Sequence, residues 1–264
     1  MLLRRAGLID DALYLKLLNK TLNQVLQTPG RAVQSVAQAS FDAWVKYYRQ
    51  DENTPNATVS YYTKGALVAL CFDLTLRQEG HSTLDAVLRR LWQRCQAGPL
   101  RQADFAAVLA ELGARSFEAE IDAWVHGTAE LPLASLLAGH GVDWQSEPAP
   151  LAQQLGLRAS ESQGVRITGV LRGSAAEQAG FAAGDEWLGI EQSQPDGTLP
   201  TGWRLRRLDE LPAQVDPALA LTALVARDQR LLRLRLAWPV SGLRCKLVVS
   251  DAERAQGWLS GRSV

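Results

Sequence analysis

The chain has 264 residues, and its 28 Lys and Arg balance 28 Asp and Glu, so no bulk field draws it toward nucleic acid or an acidic membrane. At that length it can bury two hydrophobic cores. Its three cysteines, Cys71, Cys95 and Cys245, are odd in number, lack C-x-x-C spacing and lie in apolar surroundings. They are read as small buried hydrophobes in a reducing, cytoplasmic setting, not as a disulfide framework.

The opening Met1-Leu2-Leu3-Arg4-Arg5 runs into no long apolar stretch and is read as neither a signal peptide nor a membrane span. Residues 1–143 carry helical periodicity throughout. Asp10 is placed to cap a helix bearing Leu15, Leu18, Leu22, Val25 and Leu26, which Thr28-Pro29-Gly30 stops. Asn56-Ala57-Thr58 fits a glycosylation sequon, a triplet common by chance, and no function is assigned to it.

Next comes Ser60-Tyr61-Tyr62-Thr63-Lys64-Gly65-Ala66, leading into a helix with Leu67, Leu70, Cys71 and Leu74 at i, i+3, i+4 and i+7. This puts two phenols at the mouth of a buried helix. A phenol is neutral near pH 7, so one fixed there can donate a hydrogen bond to an oxyanion forming beside a metal. Taken alone, such a pair is more often two core aromatics with satisfied hydroxyls.

Ser82 and Asp85 resemble a capping box opening a helix with an apolar stripe of Leu84, Val87, Leu88, Leu91, Trp92 and Cys95. Two further helices use Phe105, Val108, Leu109 and Leu112 before Gly113, and Phe117, Ile121, Trp124 and Val125 before Gly127, each glycine in a C-terminal cap position. Trp44, Trp92 and Trp124 are expected to be packing anchors. His81, His126 and His140 each fall at a helix end or turn, and none forms an i, i+4 pair. They read as structural or solvated, with His126 favoured by the helix dipole.

Residues 144–150, with Pro148 and Pro150, read as a linker. Beyond it the period changes. Val165 to Val170 is a predicted strand, and Gly173 to Gly180 a short helix boxed by Ser174 and Glu177. Gly184-Asp185 turns into a strand over Trp187 to Ile190, and Leu232, Leu234 and Leu236 alternate with arginines as a strand wet on one face. Arg204, Arg206 and Arg207, beside Asp209 and Glu210, read as a solvated helix start. Residues 192–201, with a Pro-Asp-Gly turn, read as a loop insertion, and 241–264 as a C-terminal tail.

From Ala6-Gly7-Leu8-Ile9-Asp10 through Thr28-Pro29-Gly30-Arg31, Ser40 to Trp44, Asn56 to Gly65 and Gly127 to Leu133, the chain resembles the C-terminal portion of a glycyl-aminopeptidase-type zinc metallopeptidase of family 61. The resemblance implies an α+β fold: an all-helical lobe of a thermolysin-like gluzincin catalytic domain over 1–143, then a small β-rich PDZ domain over 151–240. It implies zinc in the full-length enzyme and removal of a small N-terminal residue from peptides. Tyr62, with Tyr61 as runner-up, matches the tyrosine that stabilises the tetrahedral intermediate. Family members bind zinc through H-E-x-x-H, whose two His at i and i+4 share a helix face. This chain has no such motif, so the resemblance implies a half-site inactive by itself.

In PDZ domains a loop of backbone N–H groups captures a peptide's terminal carboxylate and the peptide adds as a strand. Leu155, Gly156, Leu157 and Arg158 occupy the matching place, with 208–215 as the facing helix and the 242–264 tail a possible filler of the groove. The expected partners are a peptide substrate or a peptide C-terminus, with no nucleic acid and no membrane. The alternative is a non-catalytic adaptor that keeps the helical scaffold and recruits peptides through that groove.

Overall fold

The computed structural model describes residues 2–193, 199–239 and 242–261, as a helical part and a β-rich module. Asp10 Oδ1 accepts the Leu13 N–H at 2.7 Å and starts α1 (Asp11–Leu26), whose buried face is Leu15, Leu18, Leu22 and Val25. Ser60 starts α2 (Tyr61–Gln78) in the same way, and here apolar residues on most sides are buried, which makes α2 the central helix. Against it pack α3 (Leu84–Cys95), α4 (Gln102–Gly113) and the segment carrying Phe117, Ile121 and Trp124, forming one core around Phe72 and Leu74.

Charges fix the ends of this bundle. Asp73 on α2 accepts from Arg77 Nε at 3.1 Å, from Arg5 Nη2 at 3.4 Å and from the Leu84 N–H at 2.9 Å, tying the N-terminal turn and the start of α3 to one carboxylate. Asp85, expected to complete a capping box, instead bonds Arg5. The cap of α3 is Thr83, not Ser82, through Ala86 N–H to Thr83 Oγ1 at 3.2 Å. The α3 stripe is only partly covered: Val87 and Leu91 are buried, while Leu88 and Trp92 are exposed. Among the three tryptophans expected as anchors, Trp124 alone is buried, with Trp44 80% exposed. Gly113 is set by space: a Cβ there would lie 2.4 Å from the Phe117 ring, and the left-handed residue that closes α4 is Ala114.

The expected linker is a strand. β1 (Val142–Pro148) pairs antiparallel with β8 (Leu243–Val249), from Val142 opposite Val249 to Pro148 opposite Leu243. The expected tail therefore belongs to the helical part: after β8, α7 (Ala252–Leu259, numbered after the module helices below) buries Ala255, Trp258 and Leu259 in the helical core. Asn23 on α1 holds this sheet by exchanging two bonds with Cys245, Nδ2 to its carbonyl and its N–H to Oδ1, both at 2.8 Å.

The module lies between these two strands in sequence. The chain leaves at Ala149 and returns at Gly242, where Ala149 N–H bonds Gly242 O at 2.9 Å. It runs α5 (Leu151–Leu155), β2 (Leu157–Ser160), β3 (Val165–Val170), α6 (Ala175–Ala179), β4 (Glu186–Gln192), β5 (Thr201–Arg204), β6 (Leu221–Arg227) and β7 (Arg230–Leu236). The antiparallel sheet has order β2-β3-β4-β6-β7, with β5 paired to β4. Alternate residues Val165, Ile167, Trp187, Ala223 and Val225 face a separate core with Leu208, Leu211 and Val215. Ser174 caps α6 and Gly180 ends it, as the sequence predicts. Arg204 ends β5 and does not start a helix, and the Pro195-Asp196-Gly197 turn lies outside the described residues. Asn56 links the two parts, its Nδ2 bonding Val170 O at 2.9 Å and its Oδ1 accepting the Arg172 N–H at 2.9 Å, which leaves the sequon asparagine buried.

Candidate functional site

Capping by Ser60 makes Tyr61 and Tyr62 the first two residues of α2, where the chain enters from the surface. Their rings lie 4.2 Å apart, inclined by 31°. Tyr61 is half-buried against the helical core, and Tyr62 is 58% exposed. Facing them is a turn of π-helix, Ala43–Tyr47, whose C-cap is Tyr48. The Tyr48 hydroxyl lies 3.0 Å from that of Tyr61 and 3.0 Å from that of Tyr62. Tyr47 packs edge-on to Tyr61 at 5.4 Å, its hydroxyl accepting from Ser60 Oγ at 3.3 Å. Trp44 packs on Tyr48 with ring centroids 5.1 Å apart.

Hydrogen bonding splits the two phenols. The bond with Tyr48, and then the contact with Tyr61, holds the Tyr62 phenol below its ordinary value of 10.0. The bond with Tyr48 pushes Tyr61 up. An exposed phenol stays neutral near pH 7 and is a competent donor to developing negative charge. Lys64, two residues on, is buried and donates from Nζ to Arg31 O at 3.0 Å, which pins the first turn of α2 to the Pro29–Ala32 turn. Burial lowers its ammonium.

The histidines are dispersed. His140 is buried with Nδ1 against Leu136 O at 2.8 Å, His126 Nε2 meets Gln102 Oε1 at 2.8 Å, and His81 is exposed. Among the described residues no three His, Cys, Asp or Glu side chains come together as a metal-holding group. Burial raises the Cys71 and Cys245 thiols to about 12, far from thiolate chemistry.

In the module, Leu155 and Leu157 turn into the core, and Gly156 between them has φ +72° with its N–H donated to Gln153 O at 3.1 Å. Arg158 projects from β2 toward the helical part and lines a cavity of about 120 Å³ with Tyr47, Ser60 and Thr63. Tyr47 and Tyr48 have no role in the sequence-based expectations, and Trp44 stands there only as a packing anchor, although the aromatic run Trp44-Val45-Lys46-Tyr47-Tyr48 is visible in the sequence.

The fold and this phenol cluster define a two-part protein of mixed helix and sheet that presents a hydrogen-bond donor at the N-terminus of its central helix. Residues 1–68, which contain all of the cluster, match the profile of a family described as M61 glycyl aminopeptidase. Among solved structures, an aminopeptidase N family protein from Idiomarina loihiensis is similar at 28% identity and a TM-score of 0.84, over 98% of this chain and 46% of that one. The chain thus spans under half the length of that protein. A search of curated proteins gave no match.

Proposed function

We propose that the chain is the C-terminal portion of a glycyl-aminopeptidase-like peptidase that removes small N-terminal residues from peptides, and that its catalytic contribution is the Tyr62 hydroxyl. The observation that carries this is the exposed Tyr62 phenol, held at the mouth of α2 inside the segment that matches the family. A tetrahedral intermediate gains an oxyanion, and a donor already fixed in place stabilises it without reorganisation. Tyr61, half-buried, is the second candidate. The described residues do not fit a zinc site, and in this reading any metal is held by other residues of the enzyme.

Residues 151–240 are read as a PDZ module that binds a peptide terminus along the outer edge of β2. The reading is supported by β2 ending the sheet order, by the turn at Gly156 before it, and by the helical segment at 208–214. Peptides with free and amidated C-termini, titrated against the chain, test it: equal binding of both would remove the carboxylate from the account.

The peptidase reading is tested by complementation. The chain is mixed with the part of the Idiomarina protein that it does not match, and release from glycyl and alanyl anilides is followed. Tyr62→Phe should lower kcat by about a hundredfold with KM nearly unchanged. Full activity in both Tyr62→Phe and Tyr61→Phe would reduce the pair to packing aromatics.

A further inference from the structure

We propose that the buried ammonium of Lys64 and the apolar cavity beside it form a binding site for a small aliphatic carboxylate, the class to which free apolar amino acids belong. The site is separate from the phenol cluster, since none of the five tyrosines lines it.

The cation is the first half of the argument. Lys64 is 3% exposed, although an ammonium is among the costliest groups to take out of water. It carries three donors, and one of them goes to Arg31 O at 3.0 Å. Among the described residues this is its single hydrogen bond, and no carboxylate lies within ion-pair distance of Nζ. Burial lowers the ammonium, and the more distant Glu130 offsets this only in part. Two N–H groups of a buried cation are left over.

The cavity is the second half. Lys64 and Arg31, the residue whose carbonyl holds Nζ, both line a space of about 200 Å³, roughly seven times the liquid share of one water. Its walls include Leu22 from α1, Leu67 from α2, Leu133 and Trp144 from β1. Arg31 Nε donates to Glu130 Oε1 at 3.0 Å, and the 65% exposed Glu130 side chain puts this pair at the rim. A bare anion would make no use of such walls, and a hydrocarbon would leave the ammonium unpaired. A carboxylate on a short aliphatic body satisfies both, with charge-assisted hydrogen bonds from Lys64 at one end and apolar contact around the rest. Glu130 at the rim is the acid available to the ammonium of an amino acid.

The test uses the chain alone, titrated with 4-methylpentanoate, 4-methylpentanamide, acetate and leucine and followed by amide and indole NMR shifts. 4-Methylpentanoate should saturate with a Kd on the order of millimolar, as so few heavy atoms allow, and should move the Lys64 amide and the Trp144 indole. The amide keeps the shape without the charge, and acetate keeps the charge without the body. Each should bind at least about tenfold more weakly. Lys64→Met keeps the unbranched stem and should lose about tenfold or more. Ala134→Leu, at an exposed position that also lines the cavity, fills the space with Lys64 in place and should weaken binding to a like degree, so the test stands even where Lys64→Met fails to fold. Equal binding of acid and amide, unchanged affinity in either folded variant, or no saturable binding to the wild-type chain overturns the proposal. Leucine binding tighter than 4-methylpentanoate, with the gain lost in Glu130→Gln, identifies free amino acids as the source, and the reverse order identifies simple aliphatic acids. No arm depends on peptidase activity, so failure of the catalytic reading and failure of this site are read separately.

Discussion

Asn23→Ala is the sharpest test of how the helical part is closed. Asn23 lies on α1 and bonds both the carbonyl and the N–H of Cys245 at 2.8 Å, pairing with the strand as a neighbouring backbone would. Cys245 is 2% exposed, so truncation strands one buried donor and one buried acceptor. Each such group costs about 1–3 kcal/mol. The expected loss is thus about 4 kcal/mol, within a range of about 2–6 kcal/mol. At about 2–4 °C per kcal/mol for a chain of this size, the melting temperature should fall by about 8–16 °C. Asn19→Ala, which removes a single part-buried acceptor from Leu247 N–H at 3.0 Å, should cost about a third as much. Urea unfolding of the three proteins gives the free energies, and amide exchange at Cys245 shows whether opening is local. A loss below about 0.5 kcal/mol for Asn23→Ala, the level of an ordinary surface substitution, would refute the view that this amide bridges helix and strand.

Three further outcomes follow from the geometry. Gly156→Ala adds a Cβ 2.1 Å from that of Ser174 at φ +72°, whereas Gly184→Ala at φ +92° meets open space. The second should cost about 1–2 kcal/mol of backbone strain and the first clearly more by urea unfolding, so equal costs would contradict the packing. His140 is lowered from 6.5, first by burial, so it stays neutral in the folded chain while the unfolded chain protonates below about 6.5. Its contribution is therefore present above that pH and lost as pH falls through 6.5 toward the folded value. His140→Gln should flatten stability against pH in that window, and parallel curves would exonerate the residue. Dialysed protein should hold less than one zinc per chain by elemental analysis, and one tightly held zinc would mean that the dispersed histidines and cysteines had been misjudged.

The helices were legible because their signals are local. Asp10 and Ser174 each cap where the sequence places them, and the faces of α1 and α2 follow the 3.6 period. Tyr61 and Tyr62 stand out for the same reason, since they directly precede the apolar helix run at Leu67 to Leu74. Tyr48 could not, because its meaning comes from a turn that folds it back across 13 and 14 residues. The strand at 142–148 was mistaken for a linker because its partner is about a hundred residues away, and a proline-bearing polar segment carries no sign of that pairing. Leu88 and Trp92 obey helical periodicity, yet they remain exposed, since period assigns a face to a helix without supplying what covers it.

The pairing of Asn23 with Cys245, and of Trp258 with the same core, also sets a clock. A ribosome that has made α1 and α2 must still make the entire inserted module before β8 and α7 exist to cover them. At roughly 5–20 residues per second, the more than 160 residues after α2 take about 10–40 seconds to appear. For that interval the buried leucines of α1 lack part of their cover, while the module, whose hydrophobic core lies within its own stretch, can finish first. Order of synthesis and order of completion are therefore reversed, and the earliest helix waits longest for its final neighbours.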